Sequence, residues 1–301
     1  MSPPALVMAA ETLRIAAPYA CAAIGGIWAE RAGVVQIGLE GVLLASAFAS
    51  VAVALATGSA AAGLAAAIAA GAALSLGHAL LVERAGVHAV ISGIALNLLA
   101  YAGTRLLLRG LYDSSSSSPA IEGFRAGPTG KSGAALLARV LLDPIALAAA
   151  LAVVATPLLL ARTRFGLRVR AAGEDAVAAA AAGVPVTRVR CAALALSGAI
   201  CALGGAHLAY DQHRFDAGMS SGRGFIALAA VVVSGLRAGR AALACLVFGA
   251  LEALQIALQP AARGASRAGD LVQLLPYVAT LAALALAGRR AAARPGERLD
   301  P

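Results

Sequence analysis

The residues able to do chemistry in the apolar stretches of this chain are few. Gln36 and Glu40 stand four apart in "VVQIGLEGVLLA", and Glu252 and Gln255 stand three apart in "LEALQIAL". On a helix, either spacing puts both side chains on one face. Asn97 sits in the middle of "ISGIALNLLAYAG". Three chemistries fit these types. Amides and carboxylates can line a path and hydrogen-bond the hydroxyls or base edge of a polar solute. They can join helices, amide to backbone, at under about 1 kcal/mol each. Glu40 or Glu252 could also carry a proton in an ion-coupled carrier, at an insertion cost of roughly 2.5–3.5 kcal/mol for an ionisable group. Spacing alone leaves all three open.

Other reactive types form no recognisable set. "RAGPTGKSG" (125–133) carries Gly130, Lys131 and Ser132 where a phosphate-binding loop would end, but Arg125 stands where that loop's first glycine belongs. No strand precedes it, so a nucleotide site is not expected there. The four cysteines, Cys21, Cys191, Cys201 and Cys245, lie in apolar runs with no C-x-x-C pair and read as buried small residues. Cys191 and Cys201, ten apart on one expected helix, would be roughly 15 Å from each other, too far to bridge. His78, His88 and His207 fall near the ends of apolar runs. His213 stands with Asp211, Arg214 and Asp216 in "YDQHRFDAG", without a spacing that fixes metal geometry. No Ser/His/Asp or Cys/His arrangement points to catalysis, and neither a metal nor another cofactor is expected on the chain.

The elements that must hold these residues follow from composition. Of 301 residues, 60% are hydrophobic and only 13% charged, and the mean hydropathy is +0.84. Soluble domains are nearer a quarter charged. The net charge of +9 could suggest nucleic acid, but aromatics are 4%, too few for base-stacking platforms. Arginine in such a chain marks cytoplasmic loops instead. The reading is an all-α, polytopic integral membrane bundle forming one domain over 1–301. About nine spans are expected (eight to ten), near 12–29, 34–56, 59–82, 87–108, 143–161, 191–210, 223–236, 240–258 and 271–288. The stretch 223–236 is short and glycine-flanked, either a span or a re-entrant or broken helix. The N-terminal stretch lacks a basic region and cleavage site, so no signal peptide is expected.

Loop charge sets the orientation. Residues 162–190 hold six arginines against Glu174 and Asp175, and the tail 289–301 adds more, which places both in the cytoplasm. Nine spans then put the N-terminus and the loop 109–142 outside, although that loop carries four basic residues. Within 162–190, "GEDAVAAAAAGVPVTRV" reads as a short helix that starts at Glu174 and Asp175 and stops at Gly183 and Pro185. Its alanine face suits docking in a groove of a partner. The same helix could equally lie on anionic lipid, held by arginine.

The segment resembles the coupling loop of permease subunits from bacterial ABC importers, in the branch that handles simple sugars, nucleosides and branched-chain amino acids. The likeness extends to "TLRIAAPYACAAIGGIWAERAGVVQIGLEGVLLASAFAS" (12–50), "ISGIALNLLAYAGTRLLLR" (91–109), "SGRGFIALAAVVVSG" (221–235) and "FGALEALQIALQ" (248–259), in order over most of the chain. It implies a membrane-embedded half of an ATP-driven importer in the bacterial inner membrane, itself not an enzyme. ATP would be bound by separate ATPase subunits gripping the coupling helix at about Gly173–Val186. Gly173, Glu174, Ala179, Ala182, Gly183 and Val184 would lie in the contact, with Arg188 and Arg190 flanking it. A second permease, sister or self, would complete the solute path, and a periplasmic or lipid-anchored solute-binding protein would deliver the cargo. Nucleosides or related sugars are the expected cargo. Ribose-like sugars, branched-chain amino acids or a ribityl vitamin are alternatives, as is an ion-coupled secondary transporter using Glu40 or Glu252.

Overall fold

The computed structural model describes residues 4–124 and 132–262, together with Val278 and Ala285. Every regular element among the described residues is a helix. In chain order they are α1 (Pro4–Arg31), α2 (Leu39–Thr57), α3 (Ala60–Glu83), α4 (Ala89–Tyr112), α5 (Gly133–Leu142), α6 (Pro144–Arg162), α7 (Arg164–Glu174), α8 (Ala176–Ala181), α9 (Val186–Asp211), α10 (Arg223–Ser234) and α11 (Ala238–Ala262).

Local chemistry sets many of the boundaries. Gly58, with φ +67°, ends α2, and the Ser59 hydroxyl accepts from Ala62 N–H to start α3. Asp143 caps α6 through Ile145 N–H at 2.8 Å, with Pro144 in the first turn, where its missing N–H costs nothing.

Helix α9 runs through the middle, packed against α1, α2 and α3. Small residues permit this. A Cβ on Gly198 would overlap the Gly71 carbonyl of α3, and one on Gly205 would overlap the Leu43 carbonyl of α2. In lipid, where side-chain burial brings no hydrophobic gain, such backbone approach supplies the dispersion that holds helices together. One apolar core surrounds Ile24, Ile27, Trp28, Leu43 and Phe248, and a second surrounds Leu44, Phe48, Leu108 and Phe215.

The bundle has two distinct ends. At one, Arg190 reaches the close of α1, α3 and α7, and Arg31 donates to Leu236 O. At the other, Arg14 pairs with Asp211, Tyr210 donates to Ala60 O, and residues 116–121 knit to 213–217 through main-chain bonds.

Among the described residues, seven helices are long and apolar enough to cross a membrane: α1, α2, α3, α4, α6, α9 and α11. The expected count of nine is therefore not reached among the described residues. The stretch 223–236 becomes the twelve-residue α10, about 18 Å long, too short to span. The expected span 271–288 lies outside the described residues, apart from Val278 and Ala285, as does the tail 289–301. The stretch 109–142 is not all loop, since α4 runs to Tyr112 and α5 occupies its last ten residues. Of the phosphate-loop lookalike, only Ser132 and Gly133 are described, and Ser132 caps α5 through Ala135 N–H.

Candidate functional site

Two breaks in the helical pattern meet inside the bundle. The first follows α1: Gly33 takes φ +82°, and the chain stays non-helical until Leu39. The second precedes α10, where Gly218, Ser221 and Gly222 have φ of +83°, +47° and +81°. This backbone turns N–H groups into a concavity suited to an anion. The anion present is the chain's own. The Glu40 carboxylate, with 1% of its residue exposed, accepts from Gly222 N–H at 2.8 Å and Gly224 N–H at 2.7 Å. The Tyr101 hydroxyl adds a longer bond of 3.3 Å. Glu40 thus satisfies orphan donors at the start of α10 and sits at the positive end of its dipole.

The other expected residues share that closed character. Asn97 accepts from Gly41 N–H at 2.8 Å and donates to Ile37 O at 3.1 Å, so one amide serves both the start of α2 and the break before it. Gln36 donates to Ser75 Oγ at 3.0 Å and is fully buried. Gln36 and Glu40 do not share a helical face as their spacing implied. Gln36 lies in the break and reaches α3, whereas Glu40 lies in the first turn of α2 and reaches α10.

Glu252 is tied to Arg223. The Arg223 guanidinium donates to it at 2.5 Å, Tyr19 donates to it at 2.6 Å, and Arg223 also donates to Met219 O. The pair joins α10, α11 and α1 with both side chains 16% exposed. Gln255, one turn further along α11, is half-buried. Within this chain Gln36, Glu40, Asn97 and Glu252 all hold helices together.

Tyr19, Tyr101 and Arg223 were not anticipated as partners. A signal existed for one of them: an arginine opening a twelve-residue apolar helix needs an acid at the same depth, and Glu252 is that acid. The tyrosines had none, because which helix faces which is not written in local periodicity.

Two of the histidines, His78 and His207, are also occupied. His78 contacts Ser92 Oγ and Val35 O, and His207 lies 3.0 Å from Arg14 O and 3.5 Å from Asp143. Burial pushes the Asp143 carboxyl up, but His207 and the Ile145 and Ala146 N–H groups outweigh this and hold it below its ordinary value. Cys21, Cys201 and Cys245 are buried and Cys191 is half-buried, all as free thiols. Among the described residues no three His, Cys, Asp or Glu side chains stand where they could hold a metal.

The α7–α8 segment lies at the Arg190 end and links α6 to α9. Thr163 caps α7 through Gly166 N–H, and α7 buries Val169 and Ala172 while Phe165 stacks on Trp28. Glu174 is the last residue of α7, so the short helix starts one residue later than its acidic pair suggested. Asp175 is its cap, accepting from Val177 and Ala178 N–H at 2.9 Å each. Gly183, at φ +83°, stops it. Val177 is 81% exposed whereas Ala179 is 5% exposed. Ala179 therefore faces the bundle, and the outward face of α8 comprises Val177, Ala178, Ala180 and Ala181, followed by Ala182 and Gly183. Val184 packs on the core, and Arg188 is exposed. Arg190 does not flank this face but turns inward. Gly173 touches the α1–α2 turn so closely that a Cβ would meet Arg31 O.

The sequence that builds this bundle matches a known family. A family profile described as the branched-chain amino acid transport system / permease component covers residues 8–284. The chain belongs to that permease family. It is 35% identical over 295 residues to a guanosine ABC transporter permease of Bacillus subtilis, covering 92% of this chain and 91% of that one. It is 32% identical over 291 residues to a nucleoside ABC transporter permease of Lactococcus lactis subsp. cremoris, covering 93% and 92%. A permease of Haloferax volcanii, provisionally assigned to glucose transport by an ABC transporter, is 34% identical over 299 residues, covering 92% and 90%. No solved structure matches. The chain is thus a multi-pass membrane protein and a transporter permease by family.

Proposed function

We propose that this permease is the membrane-spanning subunit of an ATP-binding-cassette importer for nucleosides or related simple sugars. It works in the bacterial inner membrane with the α7–α8 end in the cytoplasm. Separate ATPase subunits bind and hydrolyse the ATP and grip the outward face of α8, with Glu174, Ala182, Gly183 and Arg188 around it. A second permease subunit, sister or self, completes the path, and a periplasmic or lipid-anchored binding protein delivers the solute. The observation that carries the reading is α8 itself. Six residues capped by Asp175 and stopped by Gly183 hold a row of small side chains clear of the bundle, a shape suited to close docking in a groove. The arginines around it, Arg84, Arg162, Arg164, Arg168, Arg170 and Arg188, support a cytoplasmic location. Likeness to guanosine and nucleoside permeases along nine-tenths of the chain supports the cargo class.

An ion-coupled carrier fits less well. Its proton-carrying acid must meet water on each side in turn, whereas Glu40 is 1% exposed and both its oxygens accept main-chain N–H groups.

The test is reconstitution of the chain, with the proteins that co-purify with it, into liposomes given tritiated guanosine, adenosine, uridine and ribose. Accumulation that requires ATP and stops with vanadate is expected. Accumulation by the purified chain alone, without nucleotide, would overturn the proposal.

A further inference from the structure

We propose that Arg190 is the positioning residue that passes movement of α7–α8 into the spans. This rests on the function proposed above. A lever moves a bundle only through contacts that survive the push, and Arg190 adds a hydrogen-bonded tie between α7 and the bundle to the apolar packing of Phe165, Val169 and Ala172. Arg190 Nη2 donates to Ala172 O of α7 at 3.1 Å. Nε donates to Ala32 O, just past the end of α1, at 3.0 Å, and Nη1 donates to Glu83, the last residue of α3, at 2.8 Å. Its own backbone is in the second turn of α9.

One planar cation therefore sits near the C-terminal, negative ends of three helices, where it takes up a main-chain carbonyl at the close of α1 and of α7 and the side-chain carboxylate of Glu83 on α3. Lysine could not reproduce this, because a point charge lacks the fork that reaches three acceptors in one plane. The surrounding backbone is fitted to the fork. A Cβ on Gly33 would come within 3.1 Å of both Arg190 Nη2 and Gly173 Cα, so the α1–α2 turn and the end of α7 close directly over the guanidinium. Gly33 opens the break that leads to Glu40, and Glu40 holds the start of α10. A push on α7 thus has a rigid route to α1, α3 and α9 at once, and through the break to α10.

The test uses the reconstituted complex carrying Arg190→Gln, Arg190→Lys or Glu83→Gln, with tritiated guanosine as probe and ATP hydrolysis measured in the same liposomes. Arg190→Gln should leave hydrolysis running while guanosine accumulated per ATP falls by roughly tenfold, within the range of coupling between distant sites. Arg190→Lys should lose nearly as much. Glu83→Gln, which keeps the two main-chain bonds, should lose less. If Arg190→Gln does not assemble, the other two variants carry the comparison. Nitroxide labels at Leu167 on α7, which is exposed and outside the α8 face, and at Ala61 on α3 give a readout that needs no cargo. Their separation should shift with ATP and vanadate in the wild type and stay fixed in the variant. A purely structural role would lower complex yield and leave both the ratio and the shift unchanged, and that result would overturn the proposal. Wild-type liposomes without ATP-dependent uptake would instead count against the proposed function.

Discussion

Glu40 and Gly224 are joined by a 2.7 Å hydrogen bond from the Gly224 N–H to the carboxylate, and a Cβ at position 224 would collide with the Glu40 main chain. The first turn of α2 therefore serves as the N-cap of α10, a helix it does not adjoin in sequence. A side chain that could have been a proton carrier is used to start a half-length helix inside the membrane.

Replacing Glu40 by glutamine should remove a charge-assisted cap and turn an amide N–H₂ toward main-chain donors. The expected loss is about 1.5–3 kcal/mol, read as a lowered midpoint of thermal unfolding in detergent. The pH profile of uptake by the surviving protein should match wild type. A profile that flattens only in Glu40→Gln would restore the proton-carrier reading.

Arg223 and Glu252 form a part-buried pair, so removing one partner strands the other. Arg223→Ala or Glu252→Ala alone should each destabilise by roughly 3–5 kcal/mol, and the double variant should recover much of that. A double-mutant cycle of thermal unfolding measures the coupling, and simple additivity would refute it.

The depressed Asp143 carboxyl gives a pH signature. A carboxylate held below its ordinary value stabilises the fold above that value, near 3.8, and loses the contribution as pH falls through the folded one. Asp143→Asn should therefore be less stable than wild type at neutral pH and converge on it in acid. A gap that stays constant from pH 7 to about pH 3 would contradict the His207 and main-chain attribution.

Exposure separates docking from folding on α8. Val177 is 81% exposed and helical, so Val177→Glu should leave insertion and thermal stability intact and reduce ATP-driven uptake at least tenfold by placing a charge in a close contact. Ala179→Leu should act on folding instead, because Ala179 is 5% exposed. Gly183→Arg is the poorer probe, since φ +83° strains any side chain there whatever the partner does.

Much of the architecture was legible in the sequence because lipid allows few solutions. An apolar run of some twenty residues must be helical to pair its own backbone, and seven of the nine expected spans are helices of spanning length. The short capped helix was equally readable, since Asp175, an alanine run and Gly183 specify it locally.

Partnership was not legible. Four-residue spacing made Gln36 and Glu40 neighbours, but the chain is non-helical at Gln36 and helical only from Leu39, so the two point to different helices. Likewise, Arg190 looked like a flanking charge, yet it closes the ends of three helices. Sequence by itself determined the all-helical membrane fold and the short capped helix α8, because hydrogen-bond satisfaction in lipid and helix capping are local demands. Only the tertiary structure decided that the intramembrane polar groups pair with one another, because a buried charge takes whichever partner packing brings within reach, and packing depends on residues far away in the chain.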